Sequence, residues 1–392
     1  MKIIGIICEY NPFHLGHKKQ IDHIRDTYGE EARIVCLMSG NFVQRGHPAI
    51  IDKSLRAQAA LNCGADLVLE LPVTAALASA EGFAAGGVRI LSPFCDYLCF
   101  GAENADTEKL MQLAQALLSP QFPEALRKEL DTGKSFPAAR ACALETMGFD
   151  PSVLNLPNNI LAVEYCKAIL AQNSAMQPMP IFRGGSYHDS SADAENPSAT
   201  ALRELMLRQN AWQDYVPDEA ADCFMDAPLH ALYAGERAIL SRLRTMSDAE
   251  FEAIPYGSEG LWRKLMKASR ACATLEQIID ATKSKRYTRS RIDRMILCAF
   301  LGITASDLEK QAPYARVLAL NDRGREVLKL ARQTGCFPNA GQQMDDPYQI
   351  LENRCGTLYG LFSLSSPEEP GLEANRRIIY KPEDKPCDFF PG

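Results

Sequence analysis

Apolar runs and amphipathic segments alternate over the first hundred residues of the chain. Four short apolar runs are typical of buried strands, at 2–8, 33–38, 67–71 and 97–100. The segments between them carry apolar residues at helical spacing, and they predict helices, at 14–28, 51–63 and 75–91. Strands that alternate with helices through short connections are typical of a parallel sheet. We therefore predict an α/β domain whose ligand lies beyond the carboxyl ends of the strands.

The pattern after residue 100 extends this first domain. Residues 106–170 are mostly helical in pattern, and 179–182 resemble one more strand. Residues 184–197 are polar and predict a surface loop. A helix that begins near Ser198 then closes the domain.

The second half of the chain is predicted to be mainly helical. Residues 211–312 show helical periodicity with almost no strand signal, whereas 315–320 resemble a strand that is followed by a helix. The predicted parts are a Rossmann-like α/β domain over 1–210, a helical domain over 211–312, and a small C-terminal α/β segment with a tail over 313–392.

Composition narrows the class of protein. The chain has 392 residues, of which 46% are hydrophobic and 23% charged, so it can bury a large core. No stretch approaches the ~20 apolar residues of a membrane span. The thirteen cysteines form no CxxC pair or regular framework, which is typical of small buried side chains in a reducing compartment. We expect a cytoplasmic protein without a membrane segment or a dedicated metal site.

The sharpest local feature is His14-Leu15-Gly16-His17, which follows the first strand and opens a helix. A helix N-terminus presents free N–H groups and a partial positive charge, which suit an anion. Gly16 lets a phosphate approach the backbone, and the two imidazoles lie on one face of the first turn. They can donate hydrogen bonds where negative charge grows during nucleotidyl transfer. The alternative is a pair of histidines that only start a helix.

This motif resembles the HxGH signature of nucleotidylyltransferases, in the superfamily that includes class I aminoacyl-tRNA synthetases. Such proteins carry a second phosphate motif, S-[ST]-T-x-x-R, late in the same domain. Residues 198–203 (Ser-Ala-Thr-Ala-Leu-Arg) fit it except for Ala199, which removes one hydroxyl. The resemblance implies that Ser198, Thr200 and Arg203 contact phosphates. The alternative for this segment is a helix-capping serine with a surface arginine.

Longer strings are similar to the bacterial tRNA(Met) cytidine acetate ligase family. They are EYNPFHLGH at 9–17, SGNFVQRG at 39–46, GADLVLELP at 64–72, FGAE at 100–103, PNNIL at 157–161 and YHD at 187–189. The likeness runs from residue 1 to about 330. It implies ATP-dependent activation of acetate to acetyl-AMP. The acetyl group would then pass to the exocyclic amine of the wobble cytidine of elongator methionine tRNA.

The resemblance also implies the positions of the site residues. His14 and His17 would be catalytic, Mg²⁺ would arrive with ATP, and further ATP contacts would come from Gly101, Asn158 and Arg183. The main ATP contacts would line the first loop and helix, at Ile7, Cys8, Glu9, Tyr10, Asn11, Pro12, Phe13, His14, Leu15, Gly16, His17, Lys18, Lys19 and Gln20.

Charge distribution points to an RNA partner. The chain carries a net charge of −7, yet residues 263–294 contain ten basic and only three acidic residues. Basic side chains around a stackable tyrosine suit phosphate contacts and base stacking. The candidate RNA-binding residues are Arg263, Lys264, Lys267, Lys283, Lys285, Arg286, Tyr287, Arg289 and Arg291. A solvated basic helix face is the alternative.

Other interpretations stay open at this point. Residues 44–46, Asp52 and Lys53 follow the second strand and could hold acetate or the acceptor nucleotide, or Asp52 could simply cap a helix. No general base is evident. Two rival functions are an adenylyltransferase that acts on a phosphorylated metabolite and a non-catalytic, nucleotide-dependent RNA-binding protein. The sequence does not predict the oligomeric state.

Overall fold

A computed structural model of the chain describes residues 1–183, 198–284, 286–365, 372–382 and 388–389. Among them, eight strands form one sheet and two short strands form a separate hairpin. The strands are β1 (Lys2–Cys8), β2 (Ala32–Ser39), β3 (Phe42–Val43), β4 (His47–Pro48), β5 (Leu67–Leu71), β6 (Tyr97–Ala102), β7 (Gln177–Phe182), β8 (Val317–Asn321), β9 (Ile379–Lys381) and β10 (Asp388–Phe389).

The sheet has the order β10-β9-β8-β5-β2-β1-β6-β7. Its five strands β5, β2, β1, β6 and β7 are mutually parallel, as the strand–helix alternation predicts. β8 pairs antiparallel with β5, β9 pairs parallel with β8, and β10 pairs antiparallel with β9. The predicted α/β class with a parallel sheet is therefore confirmed.

Helices surround this sheet and continue beyond it. The helices up to residue 210 are α1 (Leu15–Tyr28), α2 (Lys53–Asn62), α3 (Val73–Ala76), α4 (Ala80–Leu91), α5 (Thr107–Leu118), α6 (Phe122–Asp131), α7 (Phe136–Thr146), α8 (Pro157–Ala171) and α9 (Ala199–Leu207). The later helices are α10 (Asp218–Phe224), α11 (Glu236–Thr245), α12 (Asp248–Glu252), α13 (Leu261–Ala271), α14 (Leu275–Thr282), α15 (Arg289–Leu301), α16 (Ala305–Glu309), α17 (Asp322–Ala331), α18 (Pro347–Tyr359) and α19 (Leu372–Asn375).

One predicted helix was wrong in its extent. The segment 75–91 is divided into α3 and α4, because Ser79 caps a new helix by accepting the Gly82 N–H at 3.3 Å. Sequence periodicity continues through this break, since both helices bury small apolar residues. A local side-chain hydrogen bond thus overrides the periodicity.

Apolar side chains on both faces of the sheet are buried, which explains the continuous apolar runs. In β2, Val35 and Leu37 belong to the core on one face, whereas Ile34, Cys36 and Met38 belong to the core on the other. β1 alternates in the same way. Helices close both cores, so both faces of the sheet are covered.

The helical part has its own core. This core includes residues from Ile239 of α11 to Ile303, with Leu351 and Tyr359 of α18, and Phe42 of β3 and Leu77 pack into it. By contrast, Phe224 of α10 packs into a core of the sheet. Within 211–284 and 286–312, the described residues form no strand element. The limits 1–210, 211–312 and 313–392 stay predictions.

The C-terminal segment contributes to both parts. Its strands β8–β10 extend the main sheet, while α18 packs in the helical core. Asp66, immediately before β5, connects the C-terminal segment to the sheet. Its main-chain oxygen accepts the Asn321 N–H at 3.0 Å, and its carboxylate accepts a hydrogen bond from the Asn321 side-chain amide at 3.0 Å. Residues 313–392 therefore include strands of the first domain's sheet, and the predicted segment is not detached from it.

Gly324→Ala tests this connection. A Cβ at residue 324 would lie 1.9 Å from the main-chain oxygen of Asp66, so α17 must move away from the sheet. We expect the free energy of unfolding to fall by about 1–3 kcal/mol, as for other overpacked sites. Chemical denaturation measures the change, with Lys329→Ala on the exposed face of α17 as the control. Equal stability of the two variants would contradict the close packing.

Candidate active site

The two histidines form a reciprocal cap at the start of α1. His14 Nδ1 accepts the Gly16 N–H at 3.1 Å, and His17 Nδ1 accepts the His14 N–H at 3.2 Å. Their rings stack with centroids 3.7 Å apart. The predicted pair is therefore brought together at a helix N-terminus, directly beyond the carboxyl end of β1.

These hydrogen bonds fix the tautomer of both rings. A neutral imidazole whose Nδ1 accepts a hydrogen bond must carry its proton on Nε2. His14 is only 1% exposed, and its Nε2 is buried without a hydrogen-bond partner among the described residues. An unpaired buried donor costs free energy. An anion at this helix start would satisfy it.

The environment keeps both rings uncharged. Burial, with the nearby charges of Arg183 and Arg203, lowers the pKa of His14 to about 3. Burial, together with His14 and Arg183, lowers the pKa of His17 well below its usual value. Both rings are therefore neutral at physiological pH, each with its proton on Nε2. The positive charge of the site comes from the two arginines.

The second predicted phosphate motif lies beside the first. Ser198 caps α9 by accepting the Ala201 N–H at 3.1 Å. Arg203 donates to the main-chain oxygen of Asn11 at 2.8 Å and to the Thr200 hydroxyl at 3.1 Å. Residues separated by almost two hundred positions in sequence therefore converge on the same loop.

The far end of the predicted nucleotide site lies after β6. The Arg183 N–H donates to the main-chain oxygen of Ala102 at 2.8 Å, and a Cβ at Gly101 would lie 3.5 Å from Arg183 Cδ. Asn158 donates its side-chain amide to Glu103 at 2.8 Å, and Glu103 also accepts the Asn159 N–H at 2.9 Å. The carboxylate of Glu103 thus caps α8 and orients Asn158, a role that sequence reasoning missed.

Several residues of the predicted ATP segment 7–20 have structural partners within the protein. The Asn11 side chain accepts the Ile50 N–H at 2.8 Å, and Gln20 donates to the main-chain oxygen of Cys99 at 3.3 Å. Tyr10 and Phe13 are buried in the core. Lys18 forms an ion pair with Asp22 within α1.

Arg56 of α2 is a further residue that sequence reasoning missed. It is fully buried, and it donates to the main-chain oxygens of Glu9 at 2.5 Å, Ser39 at 3.1 Å and Ile51 at 2.8 Å, and also to that of Gly40. The ends of β1 and β2 are thereby fixed to one side chain. The signal for it is weak: an arginine that interrupts the alanine-rich face of a predicted helix.

Asp52 and Lys53 have structural partners. Asp52 caps α2 through the Ser54 N–H at 2.8 Å and pairs with Arg376 at 2.6 Å. The Lys53 ammonium is buried between Glu70 at 2.6 Å and Glu373 at 2.7 Å. The helix-capping interpretation of Asp52 is therefore the one that the structure supports.

Many of the predicted RNA-binding residues are paired. Arg289 makes two hydrogen bonds to Glu276 at 2.5 and 2.7 Å, and Arg286 pairs with Glu259 at 2.8 Å. The Tyr287 hydroxyl donates to Glu259 at 2.7 Å, while its ring lies under the guanidinium of Arg291.

The other members of the basic set differ in how much they are engaged. Arg291 donates to the main-chain oxygen of Tyr256 at 2.7 Å, and Lys264 donates to that of Lys283 at 2.8 Å. Arg263 and Lys267 on α13 are exposed, and within the described ranges neither has an acidic partner. Lys285 lies outside the described residues, as does the string at 187–189.

Two further expectations concern membrane spans and metal sites. Among the described residues, no helix is long and apolar enough to cross a membrane. The same part of the chain contains no cluster of three His, Cys, Asp or Glu side chains that could hold a metal ion.

Because His14 is neutral in the folded chain, we predict that its ring does not titrate near neutral pH. Its ring resonances should not titrate between pH 5 and pH 8, whereas the same ring in urea titrates near the unperturbed value of about 6.5. The pKa of His14 is lowered in the folded chain, so below pH 6.5 the unfolded chain binds more protons than the folded chain. The free energy of unfolding therefore decreases as the pH falls from about 6.5 towards the folded pKa of about 3. NMR of ring-labelled protein measures this, and a midpoint between 6 and 7 in the folded chain would contradict it.

Comparison with known proteins identifies the family. Residues 1–361 match the family model described as HIGH Nucleotidyl Transferase. The tRNA(Met) cytidine acetate ligase of Acetivibrio thermocellus is 34% identical over 363 residues, which cover 86% of this chain and 87% of that protein. The ligase of Clostridium perfringens strain SM101 is 35% identical, with 97% of this chain and 99% of that protein covered.

A solved structure agrees with the sequence relatives. The crystal structure of Thermotoga maritima TmcAL bound with alpha-thio ATP has a TM-score of 0.86 and 30% identity, with 97% of this chain and 100% of that chain covered. The apo form of the same protein has a TM-score of 0.88. The chain therefore belongs to the tRNA(Met) cytidine acetate ligase family of HIGH nucleotidyl transferases.

Proposed function

We propose that this protein is an ATP-dependent ligase that acetylates the wobble cytidine of elongator methionine tRNA. The observation that carries the proposal is the buried, unpaired Nε2–H of His14 at the start of α1, in a chain of this family. A carboxylate oxygen of acetate attacks the α-phosphorus of ATP, and pyrophosphate leaves. The exocyclic amine of cytidine then attacks the acetyl carbon, loses a proton and releases AMP.

The side chains divide the first step between them. His14 and His17 donate neutral hydrogen bonds to the α-phosphate and to the departing pyrophosphate, where negative charge grows. Arg203 and Arg183 supply the positive charge beside them. Ser198 and Thr200 would add phosphate contacts from the start of α9.

Magnesium fits this site as a companion of the nucleotide. A Mg²⁺ ion often keeps several waters and binds through substrate phosphates rather than through a full protein cage. The described residues around the phosphate side offer imidazoles, guanidiniums and hydroxyls instead of clustered carboxylates. Mg²⁺ would therefore be held by ATP and water, and its charge would help to neutralise the leaving pyrophosphate.

The tRNA contacts are proposed on the helical part, and the structure ranks the candidates. Charges that are already neutralised by glutamates offer less to a phosphate backbone than exposed ones. Arg263 and Lys267 are four residues apart on α13, so they lie on one helix face. We propose this face as the main phosphate contact, and Arg286 and Arg289 as secondary ones.

Acetate incorporation tests the function. Purified protein, ATP, Mg²⁺, radiolabelled acetate and bulk tRNA should give labelled RNA, and His17→Ala should lower the rate at least a hundredfold because a donor to the phosphates is lost. His23→Ala, an exposed histidine on the same helix, is the matched control.

The failed outcomes separate the rival functions. Pyrophosphate release that ignores acetate but requires a phosphorylated metabolite would favour an adenylyltransferase. ATP binding without any pyrophosphate release, combined with full RNA binding by His17→Ala, would favour the non-catalytic alternative.

The ranking of basic residues gives a second test. We expect Arg263→Ala with Lys267→Ala to weaken tRNA binding about tenfold and to lower the salt slope by about 2. Arg286→Ala with Arg289→Ala should weaken it less than threefold, since both arginines are paired. Filter binding over a range of salt concentrations measures both pairs. The reverse order would show that the glutamate pairs open when RNA binds.

A further inference from the structure

A two-stranded hairpin lies between the helical part and the loop 9–14, which joins β1 to α1 and is called the ATP loop below. It consists of β3, β4 and the turn 44–46 between them. Sequence reasoning left residues 44–46 as candidates for substrate contact, because they follow the second strand. Gln44 and Gly46 contact the ATP loop on one side and α15 on the other.

One residue of the hairpin, Gln44, contacts both neighbours through its backbone. The N–H of Gln44 donates to Glu9 Oε1 at 2.7 Å, and Glu9 belongs to the predicted ATP segment. The main-chain oxygen of Gln44 accepts from Arg294 Nη1 at 3.2 Å, and Arg294 belongs to α15. Gln44 is thus held at both ends of its backbone by side chains from two parts of the fold.

The contact between the hairpin and α15 is close enough to transmit a displacement. Gly46 has φ +82°, and a Cβ there would lie 2.5 Å from the Arg294 nitrogen and 2.6 Å from the Asp293 carbonyl carbon. No side chain fits between the two backbones. Protein interiors packed this tightly respond to strain together.

Arg294 itself is poorly placed to bind RNA. Its guanidinium stacks on Tyr256 with 5.1 Å to the ring centroid, and its Nε is buried without a hydrogen-bond partner among the described residues. Burial also lowers the pKa of Arg294. The hydroxyl of Tyr256 in turn donates to the main-chain oxygen of Leu77, at the C-terminal end of α3. Arg294 therefore faces the α/β domain, although it stands in the most basic stretch of the sequence.

We propose that Arg294 is a positioning residue for the ATP loop, acting on Glu9 through the backbone of Gln44. The helical part then does more than hold RNA, since one of its side chains fixes the loop that binds the nucleotide. This inference rests on the proposed function only for its place in the reaction. Its direct consequence is a change in ATP affinity, which can be measured without acetate or tRNA.

ATP titration of Arg294→Met tests the proposal. Methionine keeps the length of the side chain but removes the donors, so we expect ATP to bind about fivefold to tenfold more weakly. The tRNA affinity should stay within twofold of the wild type. Arg244→Met is the matched control, because Arg244 also donates to main-chain oxygens of the helical part but contacts neither the hairpin nor the ATP loop.

A double-mutant cycle distinguishes positioning from general damage. If Arg294 acts through Glu9, then Glu9→Ala combined with Arg294→Met should bind ATP no more weakly than Glu9→Ala alone. Additive losses, or ATP binding by Arg294→Met as tight as by Arg244→Met, would overturn the proposal. If Arg294→Met does not fold in a thermal unfolding test, Arg294→Lys and Arg244→Lys take their places, with a twofold difference in ATP affinity as the deciding value.

The two proposals fail in different ways. A wild-type protein that binds ATP but never labels RNA contradicts the proposed function and leaves the Arg294 test intact. A wild-type protein that labels RNA, with ATP affinity indifferent to Arg294, contradicts only the positioning role.

Discussion

The site depends on the hydrogen bonds that the buried guanidinium of Arg56 donates to the ends of two strands. Parallel strands that end at one edge leave main-chain oxygens without partners, and those of the buried residues Ser39 and Gly40 need donors from within the protein. Arg56 donates hydrogen bonds to the main-chain oxygens of Glu9, Ser39 and Gly40, at the ends of both neighbouring strands. The loop that follows β1 can therefore leave the sheet in a fixed direction and place His14 at the start of α1. An uncharged side chain would lack the number of donors that this edge needs.

In the site, hydrogen bonding and positive charge are supplied by different side chains. Stacked, buried histidines are unfavourable as cations, and their capping bonds commit each Nδ1 to the backbone. What remains is a pair of neutral donors whose direction is set by the helix. The arginines carry the charge from two other elements, the end of β7 and α9. The arginines therefore supply positive charge, while the protonation state of the two histidines does not change with pH near neutrality.

Sequence patterns predicted the elements that are defined locally. The apolar runs of β1, β2 and β5, and the HLGH start of α1, depend on residues close together in the chain. The antiparallel addition of β8 to β5 was not predicted, because it joins strands about 250 residues apart and leaves no local trace. The pairing of Arg289 with Glu276 and of Arg286 with Glu259 was likewise invisible, so the count of basic residues overstated the exposed charge.

The C-terminal segment shows why such distant contacts bear on the site. Glu373 lies between Lys53 and Arg376; burial alone would raise its pKa, but these cations and Arg316 lower it to about 2. Arg376 also holds Asp52, the cap of α2, and α2 carries Arg56. A charged network at the far end of the chain thus fixes the helix that organises the strand ends. The C-terminal residues therefore complete the support of the loop that follows β1, and chain order gives no hint of that connection.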